Sequence, residues 1–186
     1  MSDRESITVA APEQVHRFVT ATIPAQASTS NNPAVDRSLA VESKLGDLHV
    51  SLAHYPVLDR LSVIVLRAIH LPLHKGISNP DTYVKVTFSK GNNVLKVKKT
   101  NVKCDTIEPF YNETFHINAT SDDLPTCSLL LSVYQSTGSD VTSDGKLIGR
   151  VLLGGMMYAR GKELEHWTDM LCQPRTMVKY WHALGK

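Results

Sequence analysis

Short runs of alternating apolar and polar residues, separated by turn-forming residues, fill the chain from about residue 46 onward. The first run, "DLHVSLAHY", places Leu48, Val50 and Leu52 on one face, as in a strand that is half buried in a sheet. Segments rich in Gly, Asn, Asp, Ser and Pro, such as "SKGNN" and "STGSDVTSDG", separate the runs. This spacing predicts an antiparallel β-sandwich. The next six runs are "RLSVIVLRAIHL", "TYVKVTF", "NVLKVKKT", "ETFHINA", "SLLLSVYQ" and "LIGRVLLGG".

The period changes near the end of the chain. The segment "GKELEHWTDMLCQP" puts Leu164, Trp167 and either Met170 or Leu171 at helical spacing, and Pro174 ends the pattern. A last strand, "TMVKYWHAL", follows. The sequence therefore predicts an all-β fold of eight strands with a short helix before the final strand.

The N-terminal part differs in composition. Residues 1–43 are rich in Ser, Thr, Ala, Asn and Pro and show no sustained period, so we expect this segment to be disordered or weakly ordered and the folded domain to span residues 44–186. Four Lys or Arg oppose five Asp or Glu in residues 1–45, against sixteen and thirteen in the remainder, so the basic excess belongs to the predicted domain. No apolar run of roughly 18 residues and no signal pattern occurs, which predicts a cytoplasmic chain without a transmembrane segment.

Motifs for catalysis and metal binding are absent from the sequence. The three cysteines are far apart, which fits neither a disulfide framework nor a zinc site. There is no G-x-S-x-G, no phosphate-binding glycine loop and no H-E-x-x-H. We expect a protein that is not an enzyme, with no cofactor, no resident metal and no nucleic-acid partner.

Several stretches together resemble a known family. They are "GDLHVSLAHYP", "DTYVKV", "KVKKTNVK", "TIEPFYNETFHI", "LIGRVLLGG" and, most specifically, "EHWTDMLCQPR" followed by "WHAL". From about residue 46 to 184 the chain resembles a C2 domain, in particular the second, membrane-distal C2 domain of a synaptotagmin. The resemblance implies an eight-stranded antiparallel sandwich with loops gathered at one end.

The resemblance also implies where calcium ligands would lie. Calcium-binding C2 domains use five Asp from the first and third loops of that end, and calcium needs several such oxygen ligands together. Here the matching positions carry Lys75, Asp81, Gln135 and Thr137, while Asp140 and Asp144 have an uncertain register in the third loop. A lysine ammonium among the ligands opposes a divalent cation. We therefore expect no calcium binding, with Asp81 capping backbone N–H groups instead.

Two further features match the family's contact sites. The first is a polybasic strand in the segment "VLKVKKTNVK". The resemblance implies that this strand binds phosphoinositides, adaptor proteins and SNARE assemblies. The alternative is an edge strand whose lysines protect it from aggregation. Its residues are Lys96, Lys98, Lys99 and Lys103. The "WHAL" motif, with Trp181, His182 and Leu184, is associated with docking, although a terminal Trp also packs against sandwich edges.

These features favour a calcium-independent module that binds anionic phospholipids and proteins in vesicle trafficking or exocytosis, located peripherally on a vesicle or plasma membrane. Weak lipid binding predicts a second attachment, through a SNARE or adaptor partner or through self-association. Two alternatives stay open. One is a residual calcium-dependent membrane binder that uses Asp81, Asp140 and Asp144; the other is a protein-interaction adaptor with no lipid role.

Overall fold

The computed structural model describes residues 44–72, 79–137 and 144–186. The segment 1–43, Lys75 and Asp140 lie outside the described residues, so the predictions made for them stay predictions. The described part contains eight strands and one α-helix: β1 (Asp47–Tyr55), β2 (Arg60–Ile69), β3 (Thr82–Lys90), β4 (Asn93–Lys99), β5 (Phe110–Asn118), β6 (Cys127–Gln135), β7 (Lys146–Gly154), α1 (Gly161–Cys172) and β8 (Val178–Ala183). Two 3-10 turns lie at Pro56–Leu58 and Leu124–Thr126.

The strands form two four-stranded sheets. Sheet A has the order β5-β2-β1-β8 and sheet B the order β4-β3-β6-β7. Every neighbouring pair is antiparallel. The predicted eight-stranded antiparallel sandwich, with a short helix before the last strand, is confirmed.

The core lies between the two sheets. Alternate residues of the central strands face it, as the period of two predicts; Leu48, Val50 and Leu52 of β1 are fully buried. Helix α1 packs against β7, β8 and β1, and its Trp167 and Met170 are buried in the same core. The helix therefore closes one side of the sandwich, because it places its apolar face between the edge strands of the two sheets.

Polar side chains join α1 to β8 inside this closure. His166 Nδ1 lies 2.8 Å from His182 Nε2, and His166 Nε2 lies 2.9 Å from the carbonyl oxygen of Val178. His182 Nδ1 lies 3.3 Å from a carboxylate oxygen of Glu163. Because a carbonyl only accepts, His166 donates from Nε2 and receives the His182 N–H at Nδ1 when both rings are neutral. His182 Nδ1 then carries no hydrogen, so its contact with the Glu163 carboxylate is not a hydrogen bond in that state. The helix is thus attached to β8 by buried hydrogen bonds as well as by apolar packing.

Strands β2, β4 and β6 end, and strands β3, β5 and β7 begin, at one end of the sandwich. Strand β3 begins there with Thr82, paired with the last residue of β6, Gln135, and Thr82 also forms a backbone bridge with Lys103 of the β4–β5 connection. This is the end at which the family resemblance places its loops. No helix in the described residues is long and apolar enough to cross a membrane.

Candidate anion-binding surface

Strand β4 forms an edge of sheet B and is exposed along its whole length. Its register with β3 places Lys98 opposite Val86 and Lys96 opposite Phe88. Both partners on β3 face the core and are nearly fully buried. Lys96 and Lys98 nevertheless reach solvent, because β4 lies at the edge of the sheet. Two ammonium groups are thus presented side by side along one face of an open edge.

Neither the Lys96 nor the Lys98 side chain forms a hydrogen bond or an ion pair with any residue that the structure describes. The predicted site residue Lys103 lies elsewhere: it is half-buried in the β4–β5 connection, where its backbone N–H and C=O pair with Thr82 at 2.8 Å each. The β4 lysines with no local counter-ion are therefore Lys96 and Lys98.

Lys99 projects from the opposite face of β4. Its register partner is Lys85 on β3, and both ammonium groups contact the same carboxylate. Lys85 Nζ lies 2.5 Å from Oδ2 of Asp144 and Lys99 Nζ lies 2.8 Å from Oδ1. The hydroxyl of Tyr83 lies 3.5 Å from the same Oδ1, and Lys99 Nζ lies 5.4 Å from the centre of the Tyr83 ring. The two cations and the phenol surround one anion.

Each charged group in this cluster stabilises the ionised form of its partner. Hydrogen bonds from Lys85 and then Lys99 lower the pKa of the Asp144 carboxyl to about 2. The hydrogen bond to Asp144 in turn raises the pKa of Lys99. Asp144 is thus ionised at all physiological pH values and neutralises part of the charge around it.

The polybasic strand predicted from the sequence therefore divides into two sets. Lys96 and Lys98 are unpaired on one face, while Lys99 is paired on the other. Sequence reasoning missed Lys85, although the alternation in "TYVKVTF" places it on the outer face of β3. Only the register between β3 and β4, which contains a bulge after Phe88, shows that Lys85 and Lys99 are neighbours.

The positions expected to be former calcium ligands have different surroundings. Asp81 accepts the backbone N–H of Asp105 at 2.9 Å, the kind of contact that a capping role predicts. Gln135 ends β6, Thr137 is exposed beyond it, and Asp144 contacts lysines. Within the three described segments, no group of three or more His, Cys, Asp or Glu side chains could hold a metal ion.

A family model for the C2 domain matches residues 59–170. This chain belongs to the C2 domain family. It is 38% identical over 148 residues to synaptotagmin-1 of Caenorhabditis elegans and 37% identical over 145 residues to human synaptotagmin-5, in each case over 77% of this chain. Those stretches make up 32% and 36% of the two relatives, so the chain spans about a third of the length of the curated relatives that it matches.

A solved structure agrees with this C2 domain in fold. The first C2 domain of human synaptotagmin XIII superposes with a TM-score of 0.52, covering 75% of this chain and 86% of that domain, at 19% sequence identity. At that identity the likeness shows the fold alone.

The "WHAL" motif of this C2 domain spans the end of β8 and the residue that follows it. His182 is fully buried and Leu184 is nearly so, whereas Trp181 is half-buried on the outer face of sheet A. The Trp181 ring stacks on His49, with centroids 4.5 Å apart, and the Arg67 guanidinium lies 5.1 Å from the centre of this ring. Of the three residues predicted for docking, burial leaves Trp181 as the one that a partner could contact.

Trp181 also lines a shallow surface groove of about 350 Å³. The groove contains two aromatic and two permanently cationic side chains, and none of its lining residues is acidic. Arg67 lies 5.1 Å from the Phe110 ring centre as well as from that of Trp181. The lining residues are His49, Leu66, Arg67, Phe110, Asn112, Lys179 and Trp181.

Proposed function

We propose that this C2 domain is a binding module, not an enzyme, that attaches to anionic phospholipid without calcium through Lys96 and Lys98 in membrane trafficking. The observation that carries the proposal is the pair of exposed ammonium groups on an open edge, with no counter-ion among the described residues. Lys99 contributes less than the sequence implies, because Asp144 already neutralises part of its charge.

The strength of this attachment follows from the charges. A lysine near an acidic bilayer contributes about 1 kcal/mol, so two supply roughly 2 kcal/mol, below the roughly 4 kcal/mol of a millimolar site. Stable residence therefore needs a second attachment. A SNARE or adaptor protein, or a second copy of the chain, fits that requirement, and peripheral binding to a vesicle or plasma membrane is the corresponding location.

The test is cosedimentation with phosphatidylcholine vesicles containing phosphatidylinositol bisphosphate. We expect Lys96→Ala/Lys98→Ala to lower the bound fraction strongly at low salt, and near-physiological salt to weaken wild-type binding, because the contact is ionic. The matched control is Lys162→Ala/Lys186→Ala, which removes the same charge from exposed positions on α1 and at residue 186. Equal losses in both double variants would contradict a specific role for β4.

Calcium independence is tested by thermal unfolding. We expect no change in melting temperature with calcium at up to hundreds of micromolar, because Asp144 is held by two ammonium groups and Asp81 by a backbone N–H. A ligand that binds only the native state raises stability by about 2.7 kcal/mol at a hundredfold over its dissociation constant. A shift of several degrees that Asp81→Asn removes would favour the residual calcium-dependent alternative.

A second candidate function is that of a protein-interaction adaptor, favoured by the groove on sheet A. Its aromatic rings and the charges of Arg67 and Lys179 suit an acidic segment of a partner protein. The two functions depend on different residues. Vesicle binding depends on Lys96 and Lys98, whereas binding of an acidic peptide depends on Trp181 and is measured by tryptophan fluorescence. Wild-type protein that binds such a peptide but no anionic vesicle would favour the adaptor function.

A further inference from the structure

A row of apolar side chains crosses all four strands of sheet B on its outer face. The registers pair Val97 of β4 with Thr87 of β3, and Thr87 with Leu130 of β6. Leu130 in turn pairs with Leu152 of β7. Their neighbours on β3, β6 and β7 face the core, so these side chains point away from it. Val97 is 44% exposed and the other three are half-buried, which leaves the row accessible to a partner.

The next row, farther from the start of β3, has a low centre. Ser89 of β3 pairs with Val94 of β4 and with Ser128 of β6, and Ser128 pairs with Gly154 of β7. Val94, at one end of this row, is 60% exposed. At the other end Tyr158 covers Gly154, since a Cβ on that glycine would lie 3.2 Å from the Tyr158 Cβ. Val94 and Tyr158 therefore border a shallow depression beside the apolar row.

Cations form a third row on the other side of the apolar one. The registers put Lys99 of β4, Lys85 of β3 and Arg150 of β7 in the same row. Asp144 contacts both lysines. Arg150 is exposed and forms no ion pair with a carboxylate that the structure describes; its Nε donates to the backbone carbonyl of Lys186 at 3.2 Å. Three cations thus oppose one carboxylate, which favours a partner with acidic residues beside its apolar face.

The spacing of the apolar row fits an α-helix that lies across the strands. Neighbouring strands are about 4.8 Å apart, so the four side chains span about 14 Å, the length of about nine helical residues. Side chains three or four residues apart on a helix are about 5–6 Å apart, whereas those on one face of an extended segment are about 7 Å apart. A bilayer fits less well, because the longer side chains of Lys85, Lys99 and Arg150 would meet head groups before the apolar row reached hydrocarbon.

We propose that the outer face of sheet B binds an amphipathic helix of a partner protein, with its apolar side on Val97, Leu130 and Leu152 and its acidic flank toward Arg150. The proposal rests on the proposed function in one respect, because that function requires a second attachment through a partner. Lys96 and Lys98 project from the other face of β4, so this helix and a bilayer can be bound at the same time.

The test uses a displayed library of peptides of about 15 residues, with leucines at helical spacing and variable polar positions. We expect peptides selected on the wild-type protein to carry Asp or Glu on one flank. Once synthesised, they should bind Val97→Ser/Leu152→Ser about tenfold more weakly, because both substitutions remove apolar contact. The matched control is Val57→Ser/Leu58→Ser, which makes the same replacements at exposed positions between β1 and β2 and should leave the affinity unchanged. Fluorescence anisotropy measures these affinities.

Arg150→Ala tests the charged flank and leaves the apolar row intact. We expect it to lower the affinity for the selected peptides by about threefold. It should have no effect on the same peptides after their acidic residues are replaced by Gln or Asn. The proposal is wrong if no helical peptide is enriched, if the selected peptides bind Val97→Ser/Leu152→Ser as tightly as wild type, or if Arg150→Ala leaves their affinity unchanged.

Vesicle cosedimentation separates this surface from a lipid-binding one. We expect Val97→Ser/Leu152→Ser to bind vesicles containing phosphatidylinositol bisphosphate as wild type does, and Lys96→Ala/Lys98→Ala to bind the selected peptides as wild type does. If Val97→Ser/Leu152→Ser loses vesicle binding but keeps peptide binding, the face contacts lipid and the proposal is overturned. If wild type binds vesicles but no helical peptide, the helix site is wrong while the proposed function stands. If it binds the peptides as expected but no vesicles, the reverse holds.

Discussion

Strands β4 and β8 are both edge strands, one in each sheet, yet their surroundings are opposite. All seven residues of β4 are exposed. On β8, His182 and Val178 are buried because α1 packs against the strand and closes the sandwich there. Each strand carries a motif that matches the family, and the comparison shows that a matching motif does not indicate by itself whether its residues stabilise the fold or contact a partner.

The difference arises from the segments next to each strand in the chain. Strand β4 leads into an irregular connection, which leaves its outer edge without a partner strand among the described residues and its lysines in solvent. Strand β8 follows helix α1, whose apolar residues Trp167 and Met170 are buried in the core. The residues of the β4 motif therefore lie mainly in solvent, whereas those of the β8 motif mainly pack against the fold, with Trp181 half-buried.

Among the variants that test this contrast, we expect truncation of Trp167 to have the largest effect on the free energy of unfolding. Trp167→Ala removes a fully buried indole from the α1–core contact, and we expect it to lower the free energy of unfolding by about 3–5 kcal/mol. The matched control on β4 is Val97→Ala, a residue 44% exposed, for which we expect less than about 1 kcal/mol. Urea unfolding measures both. Similar losses in the two variants would break the contrast between the strands.

A smaller effect concerns the histidines between α1 and β8. Burial is the main cause that lowers the pKa of both His166 and His182 to about 4. Below the ordinary pKa of 6.5 the unfolded chain binds more protons than the folded one, so stability is complete above pH 6.5 and falls as the pH drops toward 4. By pH 5 we expect a loss of about 2 kcal/mol per histidine, measured by urea unfolding at pH 7 and pH 5.

Variants assign a share of the pH dependence to the two histidines between α1 and β8. His182→Gln should reduce the stability difference between pH 7 and pH 5 by about 2 kcal/mol, even if it lowers stability at both values. The rest of the difference belongs to His166 and to His49 and His54, whose pKa burial also lowers. The matched control is His116→Gln, which replaces an exposed histidine on β5; a loss as large as that of His182→Gln would contradict the assignment. If His182→Gln keeps the full pH dependence, then the buried pair is not its source.

Much of the fold could be predicted because each element carries its own periodic signal. The predicted run "DLHVSLAHY" coincides with β1, and the helical spacing of Trp167 and Met170 identifies the buried face of α1. Such patterns are local, since they depend on which side of one strand or helix is apolar. The assignment of lysines to β4 was also local and holds for Lys96, Lys98 and Lys99, whereas Lys103 lies beyond the strand.

The pairing of charges could not be predicted in the same way. Lys85 and Asp144 are 59 residues apart, and their contact depends on the registers of β3 with β6 and of β6 with β7, which begins two residues after Asp144. From the sequence of the third loop it was uncertain whether Asp144 matches a calcium-ligand position of the family. In the structure its carboxylate contacts two lysines. A register shift of one residue moves a side chain to the other face, so sequence alone leaves such partners undetermined.

The smallest expected effect is on the stability of the β4 edge itself. Lys96→Ala/Lys98→Ala should change the free energy of unfolding by less than about 0.5 kcal/mol, because neither lysine has an ion pair among the described residues and both are exposed. If anything, removing two neighbouring like charges relieves repulsion. We expect the double variant instead to self-associate in a concentration-dependent way, because lysines on an open edge discourage pairing with another chain. Urea unfolding and light scattering measure the two quantities. A loss above about 1 kcal/mol would place these lysines among the residues that stabilise the fold, as in β8, and would remove the contrast on which the proposed lipid site depends.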